Sequence, residues 1–228
     1  MKIDFHVHTK HSPDSFSDPK RLVKAARRKG LDAIAVTDHN SFDGVEEVKK
    51  AAKKIAPNLL VIGGTEFLTD KGEVLGLFLK KPLKSKPGER FEKVCREIRG
   101  QKGLVAIPHP FDSFRSSRIR LEKLPLKLLK SVDAIEVYNS RVMNWKSNER
   151  ALVFASEHGL AAIAGSDAHF LFELGTSCTY VFAKNENELK KAIKKGESAV
   201  HGKRSKTRPL LVHGFTMAGK RAKKHLRF

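Results

Sequence analysis

The fold class this sequence predicts is a parallel α/β sheet covered by helices, wound open or closed as a barrel. Three observations carry it. Short apolar runs rich in β-branched residues recur along the chain, stretches with helical spacing of apolar residues lie between most of them, and no internal repeat or domain linker interrupts the series. The 228 residues fit one domain, since single barrels reach about 250.

The strands are read in order as Ile3 to Val7, Ala33 to Thr37, Leu59 to Gly63, Val74 to Leu79, Leu104 to Ile107, Ala134 to Tyr138 and Ala161 to Ala164. Helical spacing marks Leu22, Val23 and Ala26 before Gly30, and Val45, Val48, Ala52 and Ile55 before Pro57. Later helices are Phe91 to Ile98, Leu124 to Leu129 and Asn148 to Glu157, the last ended by Gly159. Only Gly64 to Gly76 breaks the rhythm, with two strands joined by a polar turn at Asp70, Lys71 and Gly72. A strand from Cys178 to Phe182, a helix from Glu186 to Lys195 and a short run from Ala199 to His201 follow. A barrel domain over 1–201 and a basic tail over 202–228, partly docked on the barrel, are expected.

Composition narrows the classes further. Hydrophobic residues make up 40% of the chain, enough for a core, which excludes a charge-dominated disordered chain. No apolar run approaches the roughly 20 residues that span a bilayer, so no membrane partner is expected. A polar, His-rich start without a hydrophobic leader makes a cytoplasmic protein the expectation. Cys95 and Cys178, the only cysteines, form no metal knuckle, so metal chemistry would use imidazole and carboxylate.

Such residues cluster at the C-terminal ends of the predicted strands, which converge on one face in a parallel α/β protein. Strand one ends in Asp4-Phe5-His6-Val7-His8, where alternation puts Asp4, His6 and His8 on one side and Phe5 and Val7 on the other. Two histidines at i and i+2 form a metal clamp, with Asp4 in reach to orient a ligand. Asp38 and His39, Glu66, and His109 then stand at three further strand ends, and Asp167 and His169 repeat the i, i+2 spacing after Gly165-Ser166. A lone His109 is ordinarily structural and a lone Asp38 can cap a helix, but recurrence at consecutive strand ends argues for a shared site. Mixed imidazole and carboxylate suits Zn²⁺, Mn²⁺ or Fe²⁺, and the candidates exceed the four to six or so ligands of one ion, so two or three ions are expected.

The set His6-Val7-His8-Thr9, Thr37-Asp38-His39-Asn40, Gly64-Thr65-Glu66, His109-Pro110, Glu136-Val137-Tyr138-Asn139 and Gly165-Ser166-Asp167-Ala168-His169 resembles the PHP family, named for polymerase and histidinol phosphatase. The resemblance implies a distorted (β/α)7 barrel of the TIM-like PHP type, a trinuclear metal site and phosphoesterase activity. Carried over by position, it implies one ion held by His6, His8, Glu66 and Asp167, a second by Asp14, His39 and His169, and a third by Glu66 as a bridge with His109. Glu73, three residues before Gly76, stands where the family often has a histidine, and Asp14 likewise. The extra carboxylate favours Mn²⁺ or Fe²⁺ over Zn²⁺ alone. The neighbouring amidohydrolases usually need a carboxylated lysine, and no lysine sits at a strand end here.

Clustered divalent ions bind phosphate oxygens and activate water, so no side-chain nucleophile is needed. Asp167, or a metal-bound hydroxide near the catalytic candidate His169, is the expected proton handler, His109 or a second metal is expected to steady the leaving oxygen, and Asp38 to tune His39. Arg141 is the preferred phosphate clamp because guanidinium binds phosphate through a fork, with Asn139, Arg115 and Arg118 as further substrate contacts. The expected substrate is a phosphate monoester, a nucleotide or small phosphorylated metabolite. A nuclease for RNA or DNA diesters ranks second, and a non-catalytic RNA-binding barrel, which would have eroded ligand positions, third. The formal charge of +20 draws nine Lys or Arg from 202–228, where no acid occurs, so nucleic acid is a candidate partner of the tail.

Overall fold

The computed structural model describes residues 1–204, and the basic tail read from the sequence lies almost wholly outside them. Along the described chain run β1 (Lys2–Val7), α1 (Pro19–Arg28), β2 (Ala33–Val36), α2 (Asp43–Ile55), β3 (Leu60–Thr69), β4 (Gly72–Leu77), α3 (Phe91–Gly100) and β5 (Leu104–Ile107). A single 3-10 turn (Leu121–Lys123) precedes α4 (Leu126–Leu129), β6 (Ala134–Asn139), α5 (Lys146–Glu157), β7 (Ala161–Gly165), β8 (Ser177–Tyr180), α6 (Glu186–Lys194) and β9 (Ala199–Gly202). Helix α1 shows how local chemistry sets these limits: the Asp18 side chain accepts from the Arg21 amide, Pro19 opens the first turn, and Leu22, Val23, Ala25 and Ala26 form the buried face. Among the described residues no helix is long and apolar enough to cross a membrane.

The strands form one sheet in the order β7-β6-β5-β4-β3-β2-β1-β8-β9. Neighbours in β1-β2-β3 and in β5-β6-β7 are parallel, whereas β4 runs antiparallel to both β3 and β5. The sheet is therefore mixed rather than parallel. The cause is the turn at Asp70 and Lys71, because a parallel return needs a crossover of about a dozen residues and this link allows only a hairpin. At the upper seam the Asp167 amide donates to the His6 carbonyl at 2.8 Å and the His8 amide to the Ala168 carbonyl at 3.0 Å. Lower down, β8 pairs antiparallel with β1 at Lys2 and Ile3. The result is a nearly closed, distorted barrel.

Two apolar layers hold it. Ile3, Phe5, Ile62, Leu75, Leu77, Leu104 and Ile163 fill the inside, where Leu189 and Ile193 of α6 join them beside Met1 and Leu60 at the strand starts. The outer layer, including Val7, Leu22, Ile34, Val48, Val94 and Ile135, packs helices onto the sheet. Strict alternation in β1 fails. The register against β2 slips between Asp4 and Val7, so Phe5 joins Ile3 inside while Val7 joins the outer layer. Such a slip re-aims side chains at a strand end. Asp4 consequently accepts from the Ser166 and Gly175 amides and the Ser166 hydroxyl, bracing the loop after β7, and from the His6 amide at 3.3 Å.

Candidate metal centre

The ends of the strands deliver their unusual side chains to one place. His6 and His8 come from β1, His39 follows β2, Glu66 and Glu73 lie on the β3-β4 hairpin, His109 follows β5, Glu136 and Asn139 lie on β6, and Asp167 and His169 follow β7. Asp14 enters from the loop after β1. Nearly all are buried; the His39 side chain is the most open at 15%. Gly165 is required for this convergence, because a Cβ there would stand 2.3 Å from His6 Cβ and 2.7 Å from Glu136 Oε1. His109 and Asp167 adopt left-handed backbone at φ 32° and 55°, a costly conformation for side chains with Cβ. The His109 amide is held by Glu136 Oε2 at 2.9 Å and the Asp167 amide by the His6 carbonyl.

His6 Nε2 and His8 Nε2 face each other at 3.0 Å. Glu66 Oε2 lies 3.3 Å and 3.4 Å from them, and Asp167 Oδ1 lies 3.6 Å and 3.2 Å from them. A divalent ion with ligands at about 2.1 Å separates adjacent ligand atoms by about 3.0 Å in octahedral and about 3.4 Å in tetrahedral geometry. All five separations are of that size. Among the described residues, Glu66 Oε2 and Asp167 Oδ1 are buried with no hydrogen-bond donor.

The hydrogen bonds of the two rings settle which nitrogen is free. His6 Nδ1 lies 3.0 Å from Glu136 Oε1, an acceptor only, so Nδ1 carries the proton. His8 Nδ1 lies 2.9 Å from Ser12 Oγ, whose single proton goes to Asp38 Oδ1 at 2.8 Å, so Ser12 can only accept from His8. In the neutral rings both Nε2 lone pairs thus point into the space that the two carboxylates face. Four converging acceptors repel one another unless a cation or a proton lies between them, so the residues present fit a divalent ion.

Two further groups adjoin the first. Asp14 Oδ2 lies 3.5 Å from His39 Nε2 and 3.3 Å from His169 Nε2. Glu66 Oε1 lies 2.9 Å from His109 Nε2, while His39 Nδ1 lies 3.1 Å from Glu66 Oε2 and 3.7 Å from Glu73 Oε1. Glu66 therefore touches four imidazoles. His39, with one nitrogen toward Asp14 and the other toward the glutamates, stands between the second and third groups.

The electrostatics follow from this crowding. Burial works against a charged His6, but the Glu136, Asp167 and Glu66 carboxylates outweigh it and raise its pKa well above the ordinary value. His8 is driven the other way, by burial and by the neighbouring His169 and His39. His39 is pushed up to about 9 because Glu66, Asp14 and Glu73 overcome its burial. Despite burial, Arg115, His6 and His8 hold Asp167 well below the carboxylate range, and His6 and His39 do so for Glu66. Glu73 is raised, by burial and by Glu66.

The structure brings all nine metal-ligand candidates together and redirects several other residues. Asp38 does not touch the His39 ring: it accepts from the Thr9 amide and hydroxyl and from Ser12, and so acts on His8. Asn139 is fully buried and donates to Glu136 at 2.9 Å and to Asp167 at 3.3 Å, which places it behind the carboxylates rather than against a substrate. Arg118 ties its own loop, donating to the Pro110 carbonyl and lying 3.4 Å from Glu122. Arg115 donates to Asp167, and the Arg141 guanidinium lies against His169 Nδ1, which donates to the Asp167 carbonyl at 2.8 Å, with Glu173 at 3.7 Å from Arg141. Both arginines stand at the cluster.

Three supporting residues escaped the sequence reading as site residues. Glu136, Ser12 and Glu173 orient His6, His8 and the backbone of His169, the last by accepting from the His169 and Phe170 amides. Glu136 carried a signal, an acid inside an apolar strand, which must be paired when buried.

A family model described as PHP domain matches residues 4–201. An uncharacterized protein of Methanocaldococcus jannaschii is 35% identical over 151 residues, 61% of this chain and 82% of that protein. A 5'-3' exoribonuclease of Haemophilus influenzae is 29% identical over 126 residues, 50% of this chain and 44% of that one. In fold the chain is similar to a two-domain Bacteroides vulgatus protein containing a predicted PHP-like metal-dependent phosphoesterase, with a TM-score of 0.74 and 24% identity. That match covers 89% of this chain and 64% of the two-domain protein, so the chain spans less than two thirds of that neighbour's length.

Proposed function

Given that the chain belongs to the PHP domain family, we propose that it hydrolyses a phosphate monoester with divalent ions held at the barrel mouth. The observation that carries this reading is the set of five ligand-like separations among His6, His8, Glu66 and Asp167. These four would hold one ion, Asp14, His39 and His169 a second, and Glu66, Glu73 and His109 a third. The carboxylate-rich set favours Mn²⁺ or Fe²⁺ beside Zn²⁺. When bound, such ions supply Lewis acidity toward phosphate oxygens and make a nearby water acidic enough to attack.

The chain's own residues do the rest. Glu136 and the Asp38-Ser12 pair keep His6 and His8 turned inward and in one tautomer. Asp167, kept ionised by Arg115 and His6, keeps its charge toward the ion and orients the attacking water by accepting a hydrogen bond from it. Arg115 and Arg141 supply positive charge beside the cluster, and His109 Nε2, 2.9 Å from Glu66 Oε1, would hold the third ion beside the leaving oxygen. Burial of His6, His8, Glu66 and Asp167 favours the narrow end of a substrate, a terminal phosphate, over a diester inside a strand. The partial likeness to an exoribonuclease supports diester cleavage at a strand end as the second reading.

Turnover of p-nitrophenyl phosphate and bis-p-nitrophenyl phosphate with Mn²⁺, Zn²⁺ or Fe²⁺ tests the choice. Monoester turnover that disappears in His8→Ala supports the proposal. Turnover of the diester alone moves the assignment to the nuclease, and activity of His8→Ala equal to wild type overturns the site.

A further inference from the structure

We infer that Ser117 is a positioning residue for the third ion, and that the loop 109–119 which carries it sets the occupancy of that ion apart from the other two. The inference rests on the phosphoesterase reading of the centre, which places three ions there. Glu66 is shared between ions, so the ligands that belong to the third alone are His109 and Glu73. One loop begins at the former and docks on the latter. It leaves His109, whose carbonyl accepts from the Asp112 amide at 3.2 Å, and turns again where the Arg115 amide donates to the Asp112 carbonyl at 3.1 Å. Ser117 then lies along the start of β4. Its carbonyl accepts from the Glu73 amide at 2.8 Å, and its hydroxyl donates to Glu73 Oε2 at 2.6 Å. Gly72 makes this contact possible, since a Cβ there would stand 2.7 Å from the Ser117 carbonyl oxygen, and its φ of 125° suits glycine alone.

The Ser117 hydroxyl does for Glu73 what Glu136 does for His6. A carboxylate turns easily about its last torsion, and a ligand free to turn binds weakly because ordering it costs entropy. The single Ser117 proton engages Oε2, which leaves Oε1 on the side of the cluster, 3.7 Å from His39 Nδ1. Ser117 is the one hydrogen-bond donor to that carboxylate among the described residues. The sites differ in exposure as well. The four side chains around the first ion are fully buried, whereas that of Glu73 is 12% open and Ser117 is partly exposed. Arg115, nearer the His109 end of the loop, is braced by Asp112 at 3.4 Å, so its contact with Asp167 of the first ion does not depend on Ser117. The third ion is thus the one whose ligand hangs on a surface loop, which makes it the exchangeable ion of the set.

Calorimetric titration of metal-depleted, full-length protein with Mn²⁺ tests this. Ser117→Ala is expected to weaken one ion by about 10- to 100-fold and to leave the others as in the wild type. Ser116→Ala, on the exposed neighbour, should bind every ion as the wild type does. Because Ser117 acts through Glu73, Ser117→Ala should change nothing further in a Glu73→Ala background, whereas a role in general packing would add its own loss. Circular dichroism and thermal melting check that each variant keeps the fold. Wild-type affinity for every ion in Ser117→Ala overturns the inference, as does weakening of all ions together or an added loss in E73A/S117A. A Ser117→Ala chain that fails to fold also overturns it, in favour of a structural role. Should the ions bind with the expected pattern while the wild type turns over neither p-nitrophenyl phosphate nor its bis ester, the role of Ser117 stands and the phosphoesterase reading falls. Wild-type turnover together with unchanged ion binding in Ser117→Ala gives the reverse.

Discussion

Glu136 Oε1 lies 3.0 Å from His6 Nδ1, and both side chains are fully buried. The second oxygen of the same carboxylate accepts from the His109 amide and from Asn139 Nδ2, each at 2.9 Å. One acid thus aims two imidazoles, from β1 and from the loop after β5, at Glu66. Removing its charge sets a donor against a donor, because a glutamine offers one oxygen to three N–H groups. Glu136→Gln is expected to lower divalent-ion affinity by about 10- to 100-fold with the fold retained, read by metal titration and circular dichroism.

The Asp38-Ser12-His8 chain makes a similar prediction from the opposite side of the centre. Ser12→Ala deprives His8 Nδ1 of its acceptor and lets the ring change tautomer, which turns a proton rather than a lone pair inward. Metal content after dialysis should fall in Ser12→Ala, while Ser41→Ala, whose hydroxyl accepts only at the exposed start of α2, should match the wild type.

Metal binding should depend on pH with a fixed sign. Without an ion His39, pushed up to about 9, carries a proton at neutral pH, and coordination requires that proton to leave. Apparent affinity should therefore rise with pH up to about 9, by as much as about tenfold per unit for each proton released. Titration calorimetry in buffers of different ionisation enthalpy reads the release directly. The linked stability runs the other way. A raised histidine pKa stabilises the ion-free fold fully below 6.5, its ordinary value, and that contribution is lost as pH rises through about 9. Chelator-treated protein should melt at lower temperature at the alkaline end of this window.

Gly165→Ala should cost more than any surface change. Its Cβ would stand 2.3 Å from His6 Cβ, so β7 and β1 must move apart where the barrel closes and where Asp167 begins. Overpacking of this kind usually costs about 1–3 kcal/mol or more. Thermal unfolding temperature and metal content should fall together.

Both thiols should be silent in the native protein. Burial pushes Cys95 and Cys178 up to about 12, and each is 2% exposed. Reaction with a disulfide reagent at pH 8 should wait for denaturant; rapid labelling of the folded chain would contradict the packing around α3 and β8.

Much of this architecture was legible because buried parallel strands are nearly continuous apolar runs, so the Ala33, Leu104 and Ala161 segments stood out against helical spacing. The hairpin at Asp70 and Lys71 was legible too, from its turn residues. The slip in β1 was not, because register is a property of two strands and the sequence shows one at a time. The ligand candidates stood out because His, Asp and Glu recur at consecutive strand ends, where any one of them alone has an ordinary structural reason to be. Their supports were hidden. Asp38 looked like a partner for its neighbour His39, yet its carboxylate turns to Thr9 and Ser12, contacts made only when the loop after β1 folds over β2. Arg118 looked like a rim cation, but its loop closes on itself and takes the guanidinium to Pro110.

Anomalous diffraction from a crystal soaked in Mn²⁺ tests the central claim most directly. The account predicts a peak about 2.1 Å from His6 Nε2 and His8 Nε2, with Glu66 and Asp167 completing its surroundings. A catalytically active crystal with manganese elsewhere and none between those four side chains would contradict it.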